Sequence, residues 1–269
     1  MVISINSVFF FLVAYILIFI LYNFATALAA FAFNIPTVIY YNDLSFLIKG
    51  VGWSPDAVKV VYSAGPLAAL LAGIILIILY NIVAEENGVL RLLVLWMFIH
   101  ASVYFFGEIM LGALFSRGFG FVLMYLYAKD TVMMVITVLA LIGMISLGFR
   151  FARLFTVSAN IYFNELPSHY ARRFLTYQFI LPFLIGTVIL TLVKLPGFSP
   201  YETGVNLTMV FLLIPMMIQG SRLEDFYFDE DPRQVRIYIP LVVAALTLLV
   251  LFRMVFGNGL KLLDRKSVV

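Results

Sequence analysis

Seven long apolar runs recur along this chain, and they constrain its fold more than any other feature. Each is close to the length of about 20 residues that an α-helix needs to cross the hydrocarbon core of a bilayer. The runs are approximately Ser7–Phe33, Val60–Val83, Leu90–Phe115, Thr131–Phe149, Leu175–Leu195, Val205–Gly220 and Ile237–Phe256. The sequence therefore predicts an all-α, polytopic integral membrane protein with about seven transmembrane helices.

The composition supports the same fold class. Of the 269 residues, 64% are hydrophobic and only 12% are charged, whereas roughly a quarter of the residues in a soluble domain are charged. The mean hydropathy is +1.09, so lipid rather than water is the expected outer solvent. Because no loop is long enough to bury a core of its own, residues 1–269 are predicted to form a single transmembrane domain.

The net charge of +3 is small and is spread over many loops. Lysines and arginines that flank apolar runs usually set topology and contact anionic headgroups. We therefore expect the lipid bilayer as a partner and no nucleic acid, and we predict a multi-pass protein of a prokaryotic cytoplasmic membrane. The basic residues divide almost evenly between the two sides, so the positive-inside rule gives no orientation.

The chain has no cysteine and two histidines, His100 and His169. Disulfides, iron–sulfur clusters, thiolate zinc sites and cysteine nucleophiles are thereby excluded, as is a site with three histidine ligands in one chain. The sequence therefore predicts no metal and no cofactor.

The third run is the most polar of the seven. Trp96, His100, Tyr104 and Glu108 recur at every fourth position, which forms a slowly drifting stripe on a helix. An ionisable side chain at this depth should face protein or water rather than lipid. Two interpretations stay open: the stripe forms a proton path or an ion site, or its side chains form structural hydrogen bonds that hold helices together.

Three uncharged polar residues in other runs are candidate partners for this stripe. They are Asn23 in the first run, Gln178 near the start of the fifth and Gln219 near the end of the sixth. Each could equally form a hydrogen bond between helices that stabilises their packing by under about 1 kcal/mol.

An acidic loop follows the sixth run, and it contains Asp225, Asp229, Glu230 and Asp231. Asp225 and Asp229 have the DxxxD spacing with which membrane prenyltransferases hold magnesium diphosphate, and hard cations favour such carboxylates. Those enzymes need a second acidic motif on a facing helix, which this sequence lacks. A solvated loop is the favoured interpretation.

One stretch resembles a known family. Residues 61–71, VYSAGPLAALL, are similar to the AGP-containing segment that starts a core helix in site-2-protease-like membrane proteins, and Gly107-Glu108 with Gly112 closes the third run in a similar layout. The resemblance covers about residues 10–130. The family's HExxH should fall near residues 25–31, which read ATALAAF, so no zinc ligand is carried over. The resemblance implies a degenerate, metal-free relative without proteolytic activity.

Four functions remain open at this point. The first is a non-catalytic subunit or scaffold that assembles with other membrane protein subunits, since no catalytic set is evident. The second is a transporter or a proton- or ion-conducting protein that uses Glu108 and His100. The third is the metal-free site-2-protease-like protein, and the fourth is a lipid-modifying enzyme that uses the acidic loop.

Overall fold

The computed structural model describes residues 1–47, 53–83, 88–228 and 235–262. Most of these residues are helical. The helices, in chain order, are α1 (Val2–Ala32), α2 (Pro55–Val83), α3 (Gly88–Ser102), α4 (Glu108–Phe115), α5 (Phe119–Tyr125), α6 (Asp130–Val157), α7 (Ser168–Leu175), α8 (Leu181–Val193), α9 (Pro200–Leu207), α10 (Val210–Gly220) and α11 (Ile239–Gly257).

Seven helical segments of the described chain are long and apolar enough to cross a membrane. They are α1, α2, α3 with α4, α6, α7 with α8, α9 with α10, and α11. The predicted all-α, polytopic membrane fold with seven spans is confirmed. We call the side on which α1 begins the proximal side and the side on which it ends the distal side.

Two spans contain a turn of π-helix. Val103–Gly107 joins α3 to α4, and Thr176–Ile180 joins α7 to α8. A π-turn inserts an extra residue into a helix, and such turns often occur at functional sites. The first of them contains Tyr104 and ends directly before Glu108, so it sets the direction in which Glu108 points.

The first and third spans form the centre of the bundle. Most of their residues are buried, whereas α6 and α11 are largely exposed. Helix α1 packs against α2, α3, α8 and α11. Large side chains such as Phe11, Tyr15 and Trp96 fill this centre, and isoleucine, leucine and valine side chains on α2, α6 and α11 point outward, where lipid can cover them.

Short antiparallel strands cover both ends of the bundle. On the distal side, β1 (Thr37–Ile39) pairs with both β2 (Leu44–Phe46) and β5 (Leu260–Leu262). On the proximal side, β3 (Glu165–Leu166) pairs with β4 (Phe226–Tyr227). In the distal sheet, the β1–β2 turn brings Asp43 over the ends of the helices.

Three segments differ from the sequence-based expectations or resolve an open choice. Helix α6 continues to Val157, beyond the expected end at Phe149, because Ala152 and Phe155 are buried against the core while Arg150 and Arg153 point outward. Residues 119–125 form the separate helix α5, which packs against α2 and α4 and adds no span. The apolar stretch at residues 44–51 is too short to cross the membrane; its residues 44–46 form β2, and residues 48–51 lie outside the described chain.

Candidate functional site

A polar cavity of about 340 Å³ lies among the distal ends of α1, α2, α4, α5 and α9 and beneath the β1–β2 turn. Its polar lining consists of Tyr22, Asn23, Thr26, Asn42, Asp43, Tyr62, Tyr104, Glu108, Arg117, Ser199, Tyr201 and Glu202. Phe19, Phe46 and Phe121 add aromatic surface. Such a concentration of ionisable groups is costly within a membrane domain, so it identifies the cavity as the candidate functional site.

Glu108 is the first residue of α4 and directly follows the π-turn. Only 5% of it is exposed, and the Tyr201 hydroxyl donates a hydrogen bond of 3.0 Å to its Oε1 atom. Gly118 closes tightly over this carboxylate with a φ of +49°, and a Cβ added there would lie 2.0 Å from Glu108 Oε1 and 3.0 Å from the Tyr201 hydroxyl. Because glycine has no Cβ, the Glu108 carboxylate and the Tyr201 hydroxyl can approach the backbone at this position.

A buried ion pair forms the other half of the site. Lys194, just beyond α8, pairs with Glu202 in the first turn of α9. The Lys194 ammonium also donates to the Tyr15 hydroxyl, which in turn donates to Glu202. Tyr104 donates to the same carboxylate over 3.4 Å, and the Lys194 ammonium lies 5.3 Å from the centroid of the Phe19 ring.

The second carboxylate oxygen of Glu202, Oε2, is buried and has no hydrogen-bond partner within the described ranges. A buried carboxylate oxygen without a donor is unfavourable, so the hydrogen bonds that Tyr15, Tyr104 and Lys194 donate to the other oxygen, Oε1, hold Glu202 in this position. Ser199 holds Glu202 in place from the backbone, because its hydroxyl caps α9 by accepting from the Glu202 N–H at 3.4 Å.

Two charged groups at the distal end have shifted pKa values. Burial raises the pKa of Asp43 above its ordinary value, although the Leu44 N–H, which donates to Asp43 Oδ1 at 2.7 Å, acts in the opposite direction. Burial lowers the pKa of Lys194, and the neighbouring Glu202 carboxylate opposes this shift. Arg117 lines the same cavity and also acts to lower the pKa of Asp43.

Three of the residues predicted from the sequence meet in this cavity: Asn23, Tyr104 and Glu108. Asn23 donates to the Phe19 carbonyl at 2.8 Å, so its amide nitrogen is bonded within α1. His100 belongs to the same stripe but does not line the cavity. Its ring is fully buried, with its centroid 4.7 Å from that of Phe11, and neither ring nitrogen makes a well-formed hydrogen bond to the described residues.

Neither glutamine of the predicted set lines the cavity. Gln178 lies in the second π-turn with a fully buried side-chain amide that is unpaired within the part of the chain that the structure covers. Its backbone carbonyl accepts from the Ser7 hydroxyl, which accepts from Trp96 Nε1 at 2.8 Å. Gln219 is half-buried near the proximal end of α10.

The acidic loop is only partly described. Asp225 accepts from the backbone N–H of Ser168 at 2.6 Å, at the start of α7, and this hydrogen bond lowers the pKa of Asp225. Its observed role is thus to cap a helix. Asp229, Glu230 and Asp231 lie outside the described residues, and the described residues include no cluster of three or more histidine and carboxylate side chains that could hold a metal ion.

Sequence reasoning missed several residues of the site: Tyr15, Tyr22, Asp43, Arg117, Lys194, Tyr201 and Glu202. One signal could have revealed the ion pair, because Lys194 and Glu202 flank the turn PGFSP at residues 196–200, and residues on either side of a tight turn come together. Tyr15, Asp43 and Arg117 carry no comparable signal, because only the tertiary packing brings Asp43 and Arg117 to the cavity and Tyr15 to the ion pair.

Comparison of the chain with models of protein families, with curated proteins and with solved structures gives no match. The chemistry of the cavity is therefore the basis on which a function can be argued.

Proposed function

We propose that this membrane protein is a transporter that binds a small, positively charged organic solute in the distal cavity. The observation that carries the proposal is the set of ionisable groups buried together at the ends of the spans. Burying an ion pair costs several kcal/mol per ion before the mutual attraction is counted. Buried charges would have no role in a subunit that served only to hold partners together. In a solute site, they bind the solute.

The charge and the aromatic content of the cavity favour a cationic ligand. Three carboxyl groups, from Asp43, Glu108 and Glu202, line the cavity with one cation, Arg117, and a second cation, Lys194, pairs with Glu202. The aromatic lining can hold an ammonium group over a ring face, and the carboxyl groups of the lining can accept its hydrogen bonds. The volume of about 340 Å³ suits a small molecule.

The broken spans around the site favour transport over static binding. The span containing α9 and α10 is interrupted at Thr208 and Met209, and the third span contains the π-turn. Discontinuous helices at a binding site are typical of secondary transporters, in which half-helices hold the solute and move relative to the rest of the bundle. Here Glu202 lies on the half-helix α9, and Glu108 directly follows the π-turn of the third span.

Binding can be tested with the purified protein in detergent and three cationic probes: ethanolamine, putrescine and choline. We expect calorimetry to detect saturable binding of at least one of them, and no binding of 1,4-butanediol or succinate. The Glu108→Gln and Glu202→Gln variants should weaken that binding about tenfold or more, since each removes a charge-assisted contact. Equal binding of neutral, anionic and cationic probes, or none by any cationic probe, would contradict the proposal.

The second candidate is a subunit of a larger membrane assembly, and an apolar groove on the outer surface favours it. This groove, of about 340 Å³, lies between α2, α3 and α6 and includes Gly73, Ala101 and Ser102. Small residues allow helices to approach closely within a membrane. Gentle extraction from the native membrane followed by native gel analysis tests this function, because a stable complex of defined stoichiometry is expected.

Two further hypotheses stay predictions. Gly65, in the segment that resembles site-2-protease-like proteins, packs within α2 against Tyr22 and Thr26, so this segment lies beside the cavity. A lipid-modifying activity of the acidic loop depends on residues outside the described chain. We also propose residence in a prokaryotic cytoplasmic membrane.

A further inference from the structure

A second pocket lies on the proximal side, far along the bundle from the cavity. It has a volume of about 440 Å³ and is lined by Arg172, Ile214, Met217, Ile218, Ser221 and Arg222. Arg172 lies about one turn into α7 from its proximal end, and Ser221 and Arg222 directly follow the proximal end of α10. The two guanidinium groups therefore lie at the membrane boundary, with apolar side chains on the membrane side of them.

Neither guanidinium group is neutralised by the described residues. The ion pairs of the described chain are Lys59 with Asp56 and Lys194 with Glu202, and both arginines are exposed. Asp225 accepts from Ser168 and pairs with neither arginine. Within the described ranges, the pocket thus presents two cations without an ion-pair partner at the level of the headgroups.

The apolar half of the pocket faces lipid. Ile214 and Ile218 are 49% and 44% exposed and follow one another along α10 toward the middle of the membrane. A free phosphate ion would use only the arginines and would leave this apolar wall unused. A phospholipid would use both, with its phosphate on the guanidinium groups and an acyl chain along α10.

We propose that this pocket is a binding site for an anionic phospholipid. Guanidinium groups bind phosphate oxygens in bidentate fashion, and anionic lipids attract basic residues at the membrane boundary. Two arginines around one phosphodiester leave an excess positive charge. This excess repels the ammonium of a zwitterionic headgroup and favours phosphatidylglycerol or a related anionic lipid. The site is independent of the solute-binding cavity.

Native mass spectrometry of the delipidated protein in detergent tests the proposal. The probes are dioleoylphosphatidylglycerol, dioleoylphosphatidylcholine and inorganic phosphate. We expect the phosphatidylglycerol to bind about tenfold or more tightly than the phosphatidylcholine, and the Arg172→Gln/Arg222→Gln double variant to lose this preference. Arg153→Gln, which changes an exposed arginine on the same side but outside the pocket, is the matched control and should retain the preference.

Three further outcomes separate the alternatives. Equal affinity for the two lipids, or equal loss in the control and the double variant, would overturn the proposal. Displacement of the lipid by millimolar inorganic phosphate would also overturn it in favour of a simple anion site. If the double variant does not fold, Arg222→Gln alone serves, because this exposed residue follows α10 and is not part of a span.

Discussion

Lys194 and Glu202 form a buried ion pair beside the cavity. If either partner is removed, the other is left buried and uncompensated, which costs about 3–5 kcal/mol for a buried pair. We expect Lys194→Met to lower the free energy of unfolding by about this amount, and the Lys194→Met/Glu202→Gln double variant to recover part of it. Reversible unfolding in mixed micelles measures the change.

The exposed pair Lys59–Asp56 is the matched control for this prediction. Its two side chains are 35% and 79% exposed, and a pair of this kind contributes about 0–1 kcal/mol. Lys59→Met should therefore leave stability almost unchanged. If Lys194→Met lowers the free energy of unfolding no more than Lys59→Met does, the prediction is contradicted. Glu202 would then be compensated even without Lys194.

Gly118 gives a second residue-scale prediction. In the Gly118→Ala variant, the added Cβ would collide with Glu108 Oε1 at a positive φ that alanine disfavours. We expect this variant to remain folded but to bind the cationic probe about tenfold more weakly, since a displaced carboxylate loses its contact. Gly257→Ala is the control, because a Cβ there meets nothing within 4 Å. Equal affinity in the two variants would contradict the role of Gly118.

Asp43 predicts the pH dependence of solute binding. Because burial raises its pKa, Asp43 is neutral at acid pH and gains its negative charge as the pH rises through the raised value. Binding of a cationic probe should therefore strengthen with rising pH over that window, and Asp43→Asn should make the profile flatter. Calorimetry at a series of pH values measures the affinity for the probe. Asp56→Asn, which changes the exposed ion pair, is the control and should have the same pH profile as the parent chain.

Among the elements, the sequence predicted the spans well and the irregular turns poorly. The apolar runs correspond to helices because only a helix satisfies the backbone within lipid. The boundaries shifted where tertiary packing decided them, as at α6, whose buried Ala152 and Phe155 extend the helix. The π-turn at Val103–Gly107 could not be predicted, because one extra residue within an apolar helix leaves no mark in the composition.

The same limit explains which site residues were found. The spacing of four residues correctly grouped Tyr104 with Glu108, which both line the cavity. It also included His100, but the His100 side chain points away from the cavity and packs against Phe11. Lys194 and Glu202 were missed although they flank the turn at residues 196–200, because their burial depends on packing against Tyr15 of α1, and helix contacts cannot be read from one sequence.

The π-turn carries an element-scale prediction. Inserting one alanine after Phe105 adds a second extra residue that the π-turn does not absorb, and it rotates α4 by about 100° relative to α3, so Glu108 would leave the cavity. We expect loss of probe binding with little change in the helical circular dichroism signal. Phe105→Ala keeps the chain length and should keep the affinity within about threefold. Equal behaviour of both variants would show that the register of α4 does not matter.

At the scale of the whole molecule, the number of spans can be tested by cysteine labelling. The chain has no cysteine, so a single introduced cysteine is the only thiol that a maleimide can label. Tyr127 is highly exposed on the distal side, and Arg222 is exposed on the proximal side. Single Tyr127→Cys and Arg222→Cys variants should react with a membrane-impermeant maleimide from opposite sides of the membrane. Labelling of both from the same side would contradict the number of spans.

The central claim is that the distal cavity binds a cationic solute and carries it across the membrane. The most direct measurement is the uptake of radiolabelled ethanolamine, putrescine and choline into proteoliposomes that contain the parent chain or the Glu108→Gln variant. We expect saturable uptake of at least one probe by the parent chain and uptake at the level of empty liposomes for the variant. Uptake by the parent chain no greater than that of empty liposomes for all three probes, or equal uptake by the variant, would contradict the claim.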